Sequence, residues 1–521
     1  QADVNETDIL APVASDPHTK VLTLYLEGIK EGRRFVEAAS RVGREKPIIA
    51  IKVGRFSSGQ RAVASHTGAL AGFESAYNAA FRRAGVIRAE TSEEMFDWAR
   101  ALAWCPPLKG DAIAVLTNAG GPGVTAADAL ELSGLRMAKL STHTHKALGK
   151  ILPAAAILHN PVDMLASATP EQYSACLRHL LVDPNVDGVL VILPPPPMHT
   201  AGAVAKAIIP VILESEKPVV VALMGERLIQ EAVEHFRAAH VPEYRFPERA
   251  ASALAILKQR SEFLVRKPTA PLPFEDVDIE KARIILDEQI ENRIKPPSNG
   301  WLPQEATELI LKAYGIQTLP TALARNLDEA VELSAKLGYP VVLKIASADI
   351  THKSDIGGVL LDLKNAEEVA QGFTKLTQIA QRVHPQTEIS GVHVQRMLPP
   401  GQEVILGAIQ DPQFGALVMF GTGGVEVEGL KDIAFSLAPM TLDEAEYLLE
   451  STWVGRKLRG YRNLPPSDRN AVIDILLRLA QLAADFPQLA EIEINPLRVL
   501  PEGEGAYAID IRARIQFSGN S

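Results

Sequence analysis

Cysteine is nearly absent from this sequence. Only Cys105 and Cys176 occur in 521 residues, too few for a disulfide framework, and a reducing cytoplasm fits that usage best. Long apolar runs are lacking as well: none approaches the ~18–20 residues that a membrane-crossing helix needs. An excess of positive charge is also missing. Fifty-three Lys and Arg stand against 63 Asp and Glu, a formal net charge of −10, which argues against nucleic acid or an anionic membrane as a partner. What is present argues for folded, core-forming domains, because 47% of residues are hydrophobic and 22% charged. At roughly 100–200 residues per domain the length suggests three or four of them.

Residues 1–105 alternate strands and helices. Lys20–Leu26 reads as a strand ending at Glu27-Gly28, followed by a helix from about Gly32 to Val42 and a strand over Pro47–Val53. Strands separated by single helices predict a parallel α/β sheet, whose ligands gather at the carboxyl ends of the strands. Glu27 and the loop GRFSSGQRAVASHTGALAG (54–72) lie there. In that loop His66 sits in a small-residue turn before an Ala-rich helical pattern, where free N–H groups and the helix dipole favour an anion. Neutral imidazole can act as a nucleophile, and a carboxylate such as Glu27 on its other nitrogen would fix the tautomer. A histidine that merely caps a turn is the plainer reading of the same residue.

Residues 106–262 form a second α/β unit with strands at 111–117, 187–193 and 218–223. After the first, Asn118-Ala119-Gly120-Gly121-Pro122-Gly123 reads as a glycine-rich turn into a helix from Val124, an anion-cradling arrangement that backbone reasons alone could also produce. Residues 263–300, with five prolines around the helix 279–292, read as an interdomain linker bearing a solvated helix.

Residues 301–521 make the third region. The stretch VVLKIASADITHKSDIGGVL (341–360) runs from a buried-looking strand carrying Lys344 into a polar loop with His352 at its centre, closed by Gly357-Gly358. A strand lysine beside a flexible loop suits phosphate chemistry, although a surface hairpin would look the same. Strands follow over 392–397 and 403–408, the latter with a carboxylate, Glu403. Gly421–Gly424 reads as a phosphate-type turn. Near the end, Glu491, Glu493, Asn495 and Asp510 supply oxygen ligands that suit Mg²⁺, or else an ordinary polar strand face.

Taken together these residues resemble the ADP-forming (NDP-forming) acyl-CoA synthetases, relatives of succinyl-CoA synthetase. LYLEGIKEGRRF, KVGRFSSGQRAVASHTGALAG, VLTNAGGPGVTAADALE, NPVDML, LKIASADITHKSDIGGV and EIEINPL look like family motifs in family order, over nearly the whole chain. The resemblance implies an α/β fold: part of a flavodoxin-like CoA-ligase domain over 1–105, a second flavodoxin-like CoA-ligase domain over 106–262, a linker over 263–300 and an ATP-grasp domain over 301–521. It implies His66 as the primary phosphohistidine with Glu27 as its supporting acid, and His352 as a second histidine that ferries phosphate to the nucleotide. Glu493 stands where the family more often has Asp, in the role of steadying that second histidine. Lys344, Gln395, Met397 and Glu403 match nucleotide-site positions, Asn495 and Asp510 the metal ligands. Gly120, Gly121 and Gly123 would aim a helix N-terminus at phospho-His66.

The expected activity is that of an acid–thiol ligase of the acetate–CoA type, using ATP/ADP and CoA with Mg²⁺. A cytoplasmic homo-oligomer in the full-length protein is expected, acting on small molecules and not on nucleic acid or membrane. Family members of the fused type begin with a Rossmann-like CoA-binding domain and the first half of the domain that Gln1 enters midway, so a fragment of a longer protein is expected. A non-catalytic nucleotide- or acyl-CoA-sensing module, as in protein acetyltransferase relatives, is the alternative. It has no need of two phosphate-carrying histidines. Another ATP-grasp carboxylate ligase would leave the SHTG loop unexplained.

Overall fold

The structure, a computed structural model, describes residues 4–55, 74–267, 269–291, 300–346, 356–383, 390–423 and 432–516. His66, His352 and Gly424 lie outside the described residues. The chain divides into two compact units, Gln1–Pro268 and Thr269–Ser521.

The first unit contains two parallel sheets. Strands Leu22–Leu26, Ile48–Lys52 and Val86–Ala89 form the smaller one, with Leu26 beside Lys52 in register. The larger runs Arg136–Met137, Ala112–Thr117, Gly188–Leu193, Val219–Leu223 and Glu243–Tyr244, and Val162–Asp163 joins the upper end of Ala112–Thr117. Its three central strands are buried at every position, as continuous Val/Ile/Leu runs covered by helices on both faces must be. Helix Pro247–Val265 serves both sheets. Ala250, Leu254 and Leu257 pack on the larger, while Ile256 joins the core of the smaller with Ile49, Ile87 and Trp98. Near its end, Arg260 donates to the carbonyls of Gly43 and Arg44, the otherwise unsatisfied acceptors at the end of helix Gly32–Glu45.

The second unit is built on two antiparallel sheets. The four-stranded one runs Thr321–Ala324, Gly391–Arg396, Val341–Ala346 and Val359–Leu363. Side chains alternate across a strand, so Val341, Leu343, Ile345, Val392 and Val394 share a core with Val369 and Leu376 of helix Ala366–Val383. Lys344, His393 and Gln395 occupy the opposite face. The six-stranded sheet runs Ile433–Leu437, Gly415–Thr422, Gln402–Asp411, Leu489–Val499 and Ala506–Ala508, with Ile511–Ile515 on the free part of Leu489–Val499. Helix Arg469–Asp485 covers it. Among the described residues no helix is long and apolar enough to cross a membrane.

Three expectations need correction. The glycines after Thr117 are not a loop: the helix already begins at Gly120 and runs to Leu132. The linker helix, Ile279–Glu291, is not solvated all round, because Ala282, Ile285 and Leu286 enter the core of the second unit beside Ile310 and Leu311. Gly421 and Thr422 end a strand and are not a flexible turn. Backbone crowding explains the glycine there. A Cβ on Gly421 would stand 2.4 Å from the carbonyl oxygen of Asp432. Gly421→Ala should therefore destabilise the unit by about 1–3 kcal/mol, an overpacking cost, read as an earlier denaturation midpoint. Weaker nucleotide binding with unchanged stability would restore the phosphate-turn reading.

Candidate functional site

In the first unit, polar groups collect at the carboxyl ends of both parallel sheets. Glu27 follows strand Leu22–Leu26, and Lys52 ends the neighbouring strand. Lys52 is 3% exposed. Its ammonium donates to the Val53 carbonyl and lies 4.8 Å from the centre of the Tyr77 ring, a cation–π distance. Burial lowers its pKa, with Arg88 acting in the same direction and Glu74 and Glu27 opposing. The Tyr77 hydroxyl accepts the Ile29 N–H at 3.0 Å, tying down the turn that carries Glu27. Arg55 and Arg88 converge on Glu74. Among the described residues the Glu27 carboxylate has no hydrogen-bond or salt-bridge partner.

On the larger sheet, the chain leaves Ala112–Thr117 for one neighbour and returns on its other side as Gly188–Leu193. That change of direction is a topological switch point, where open α/β sheets bind ligands. Asn118 stands there, 4% exposed. Its amide nitrogen reaches the Pro194 carbonyl at 3.5 Å, and its buried Oδ1 has no hydrogen bond among the described residues. Helix Gly120–Leu132 starts immediately afterwards, and its N-cap residue, Ala119, has no side chain to cap the first-turn N–H groups. The carboxylate of Asp163 lies close, 3.2 Å from where a Cβ on Gly120 would be. Gly123 packs against Pro161 and Thr117. The three glycines therefore keep backbone N–H groups uncovered at a helix start, where an anion is favoured.

In the second unit, the polar face of the four-stranded sheet meets the strand end at 508–510. Lys344, 7% exposed, donates to the Ile509 carbonyl at 3.2 Å. Gln395 is buried, and its Nε2 donates to Thr321 Oγ1 at 3.0 Å and to the same Ile509 carbonyl at 3.3 Å. Since a carbonyl can only accept, the amide nitrogen must face it, and Gln395 Oε1 is turned the other way. The next residue, Asp510, accepts the backbone N–H of Asn495 through its main-chain oxygen at 2.9 Å. Asn495 in turn donates from its side-chain nitrogen to Glu493 Oε1 at 3.3 Å. Lys344, Gln395, Asp510, Asn495 and Glu493 thus form one connected cluster.

Two of the anticipated nucleotide residues bond to groups outside that cluster. The backbone N–H of Met397 donates to the Pro340 carbonyl at 3.0 Å. Glu403 forms an ion pair with Arg498, its cross-strand partner. Glu491 pairs with Arg514 at 3.0 Å, the ordinary polar strand face. An amide and a carboxylate drawn together, Asn495 and Asp510, suit a hard cation that keeps most of its water and phosphate ligands. Among the described residues no group of three or more His, Cys, Asp or Glu could hold a metal, so an all-protein cage is not what this donor set offers.

Sequence reading missed Thr321, the Ile509 carbonyl, Lys52, Asn118 and Arg512. Only Arg512 left a legible signal. The acids of Glu491-Ile-Glu493 and the bases of Arg512-Ala-Arg514 share a period of two, as facing strands require.

Comparison with known proteins agrees with this architecture. The succinyl-CoA ligase like flavodoxin domain matches residues 1–102, the ligase-CoA domain 113–263 and the ATP-grasp domain 294–515. The chain is 39% identical over 513 residues to "Acetate--CoA ligase [ADP-forming] I" of Archaeoglobus fulgidus, covering 98% of this chain and 72% of that one. It is 34% identical over 518 residues to the "4-hydroxybutyrate--CoA ligase [ADP-forming]" of Nitrosopumilus maritimus, with 98% and 73% covered. The "Acetate--CoA ligase [ADP-forming]" of Methanocaldococcus jannaschii is 36% identical over 528 residues, again with 98% and 73% covered. With likeness of this extent on a fold of this kind, the chain belongs to the ADP-forming acyl-CoA synthetases, enzymes that interconvert acyl-CoA, ADP and phosphate with a carboxylic acid, CoA and ATP.

Proposed function

We propose that the phosphoryl group travels through two histidines of this chain. Phosphate attacks the thioester carbonyl and CoA leaves as thiolate, giving an acyl phosphate. The imidazole of His66 then attacks phosphorus and releases the carboxylate. His352 takes the phosphoryl group from His66 and passes it to the terminal oxygen of ADP. Each covalent step replaces one difficult transfer with an easier one. Glu27, which has no hydrogen-bond or salt-bridge partner among the described residues, is suited to accept a hydrogen bond from the proton-bearing ring nitrogen of His66. The uncapped start of helix Gly120–Leu132 offers N–H groups to the phosphoryl oxygens.

The observation that carries the nucleotide half is the meeting of Lys344 and Gln395 on the Ile509 carbonyl, directly before Asp510. In this reading Lys344 faces the phosphates, Gln395 the base, and Met397 and Glu403 flank them. Asn495 and Asp510 would hold Mg²⁺, which when bound offsets the charge of the phosphates. With both Gln395 donors spent, Oε1 presents only an acceptor, which complements the 6-amino group of adenine and opposes the 6-oxo group of guanine. The acid is a small aliphatic one such as acetate, in line with the names of the relatives. We place the enzyme in the cytoplasm, where two free cysteines are stable, and read it as a homo-oligomer. We take 1–105, 106–262 and 301–521 as its functional segments.

Labelling tests the relay. Acid-labile phosphate from labelled ATP should be lost in His66→Ala. His352→Ala should abolish labelling of His66 from ATP while labelling from acetyl phosphate persists. Equal loss of both in His352→Ala would assign that histidine a structural role.

Nucleotide binding gives two further expectations. Lys344→Met should weaken ADP binding about tenfold or more, the worth of a charged hydrogen bond, with CoA binding unchanged in calorimetry. The unaltered protein should bind ADP about tenfold or more tightly than GDP, because guanine leaves the buried Gln395 oxygen unpaired. Equal affinities would mean that the base is read elsewhere.

A further inference from the structure

We propose that Arg512 and Glu493 form a positioning relay that sets the Asn495 amide for the metal–nucleotide complex. This rests on the reading of Asn495 and Asp510 as metal ligands. Glu493 on strand Leu489–Val499 and Arg512 on strand Ile511–Ile515 are direct cross-strand partners. Glu493 Oε2 accepts from Arg512 Nη2 at 2.9 Å, and both side chains are largely buried, 18% and 30% exposed. The guanidinium is held from a second direction, with its carbon 5.6 Å from the centre of the Trp301 ring. Trp301 is itself anchored, because the next residue, Leu302, donates its N–H to the Ala513 carbonyl at 2.8 Å. The flat Arg512 side chain is therefore fixed, and it fixes one oxygen of Glu493.

The other oxygen, Oε1, faces Asn495 Nδ2 at 3.3 Å. A side-chain amide has a donor end and an acceptor end, and a carboxylate tolerates only the donor. Glu493 thus selects one of two amide orientations and turns Asn495 Oδ1 to the opposite side. The backbone of Asn495 is pinned independently to Asp510 through its N–H at 2.9 Å. The Glu493 carboxylate thus bridges the two, with one oxygen on Arg512 and the other on the amide. Partners behind a metal ligand govern its orientation, and their loss typically costs about 10–100-fold in metal affinity.

Mn²⁺ binding, followed by the loss of the free-ion EPR signal in the presence of ADP, tests the relay without any turnover. Asp510→Asn should weaken Mn²⁺ binding, and wild-type affinity in that variant would overturn the metal-site reading and the relay with it. Arg512→Gln should weaken Mn²⁺ binding about 10–100-fold while ADP affinity in EDTA stays unchanged. Arg512→Lys, which keeps a cationic donor for Glu493, should recover part of the loss. A folded Arg512→Gln with wild-type Mn²⁺ affinity, in a protein where Asp510→Asn binds weakly, would overturn the relay alone. Should Arg512→Gln fail to fold by circular dichroism, Glu493→Gln carries the comparison: weaker Mn²⁺ binding with unchanged metal-free ADP binding supports the relay, and wild-type affinity overturns it.

Discussion

A single carbonyl, that of Ile509, anchors the nucleotide half of this enzyme. It accepts from the Lys344 ammonium and from the Gln395 amide, so a loop of the six-stranded sheet is fastened to the polar face of the four-stranded one. Burying a lysine ammonium carries a desolvation cost, which the bond to this carbonyl helps to offset. With it, the ammonium stays where nucleotide phosphates can meet it. The dry face beneath, built on Val341, Leu343 and Ile345, gives the strand no freedom to slip, because a shift of one residue would exchange the two faces.

The first unit solves a similar problem with backbone in place of side chains. Its two parallel sheets end in Glu27 and Lys52 on one and in Asn118 and the bare helix start at Gly120 on the other. Parallel strands all point the same way, so carboxyl-end loops collect on one edge and carry the polar groups there. Lys52 shows the electrostatic side of that arrangement. Its ammonium is buried, leans on the Tyr77 ring and lies within the field of two acids and an arginine.

How much of this could be read in advance depended on the kind of signal. Strands that are buried on both faces, such as 112–117 and 188–193, appear in sequence as unbroken apolar runs, and the structure places them within a residue of the expected ends. The start of helix Gly120–Leu132 was obscured because glycine and proline advertise a turn, whereas proline is also at home in the first turn of a helix. Gly421 looked like a flexible phosphate turn for the same reason. Its role is to admit the neighbouring strand at a distance no side chain allows. In the linker helix, Ala282 and Leu286 stand four apart among charged residues, and only tertiary packing distinguishes a buried stripe that narrow from a solvated one. Lys344, Gln395, Asn495 and Asp510 were recognised as types of residue, but their common link is a main-chain oxygen, which leaves no trace in side-chain identity. His66 and His352 lie outside the described residues, so their place rests on the motifs.

Helix Pro247–Val265 has a bearing on how the protein can be taken apart. Chain order suggests a seam near residue 105, between two successive sheets. Yet this helix, which follows the second sheet, returns to fill the core of the first with Ile256 and to close the end of helix Gly32–Glu45 with Arg260. Cutting at 105 would strip the smaller sheet of that cover and expose Ile49, Ile87 and Trp98, which the unit Gln1–Pro268 keeps enclosed. On this side a stable fragment therefore has to keep both sheets together with the helix that they share.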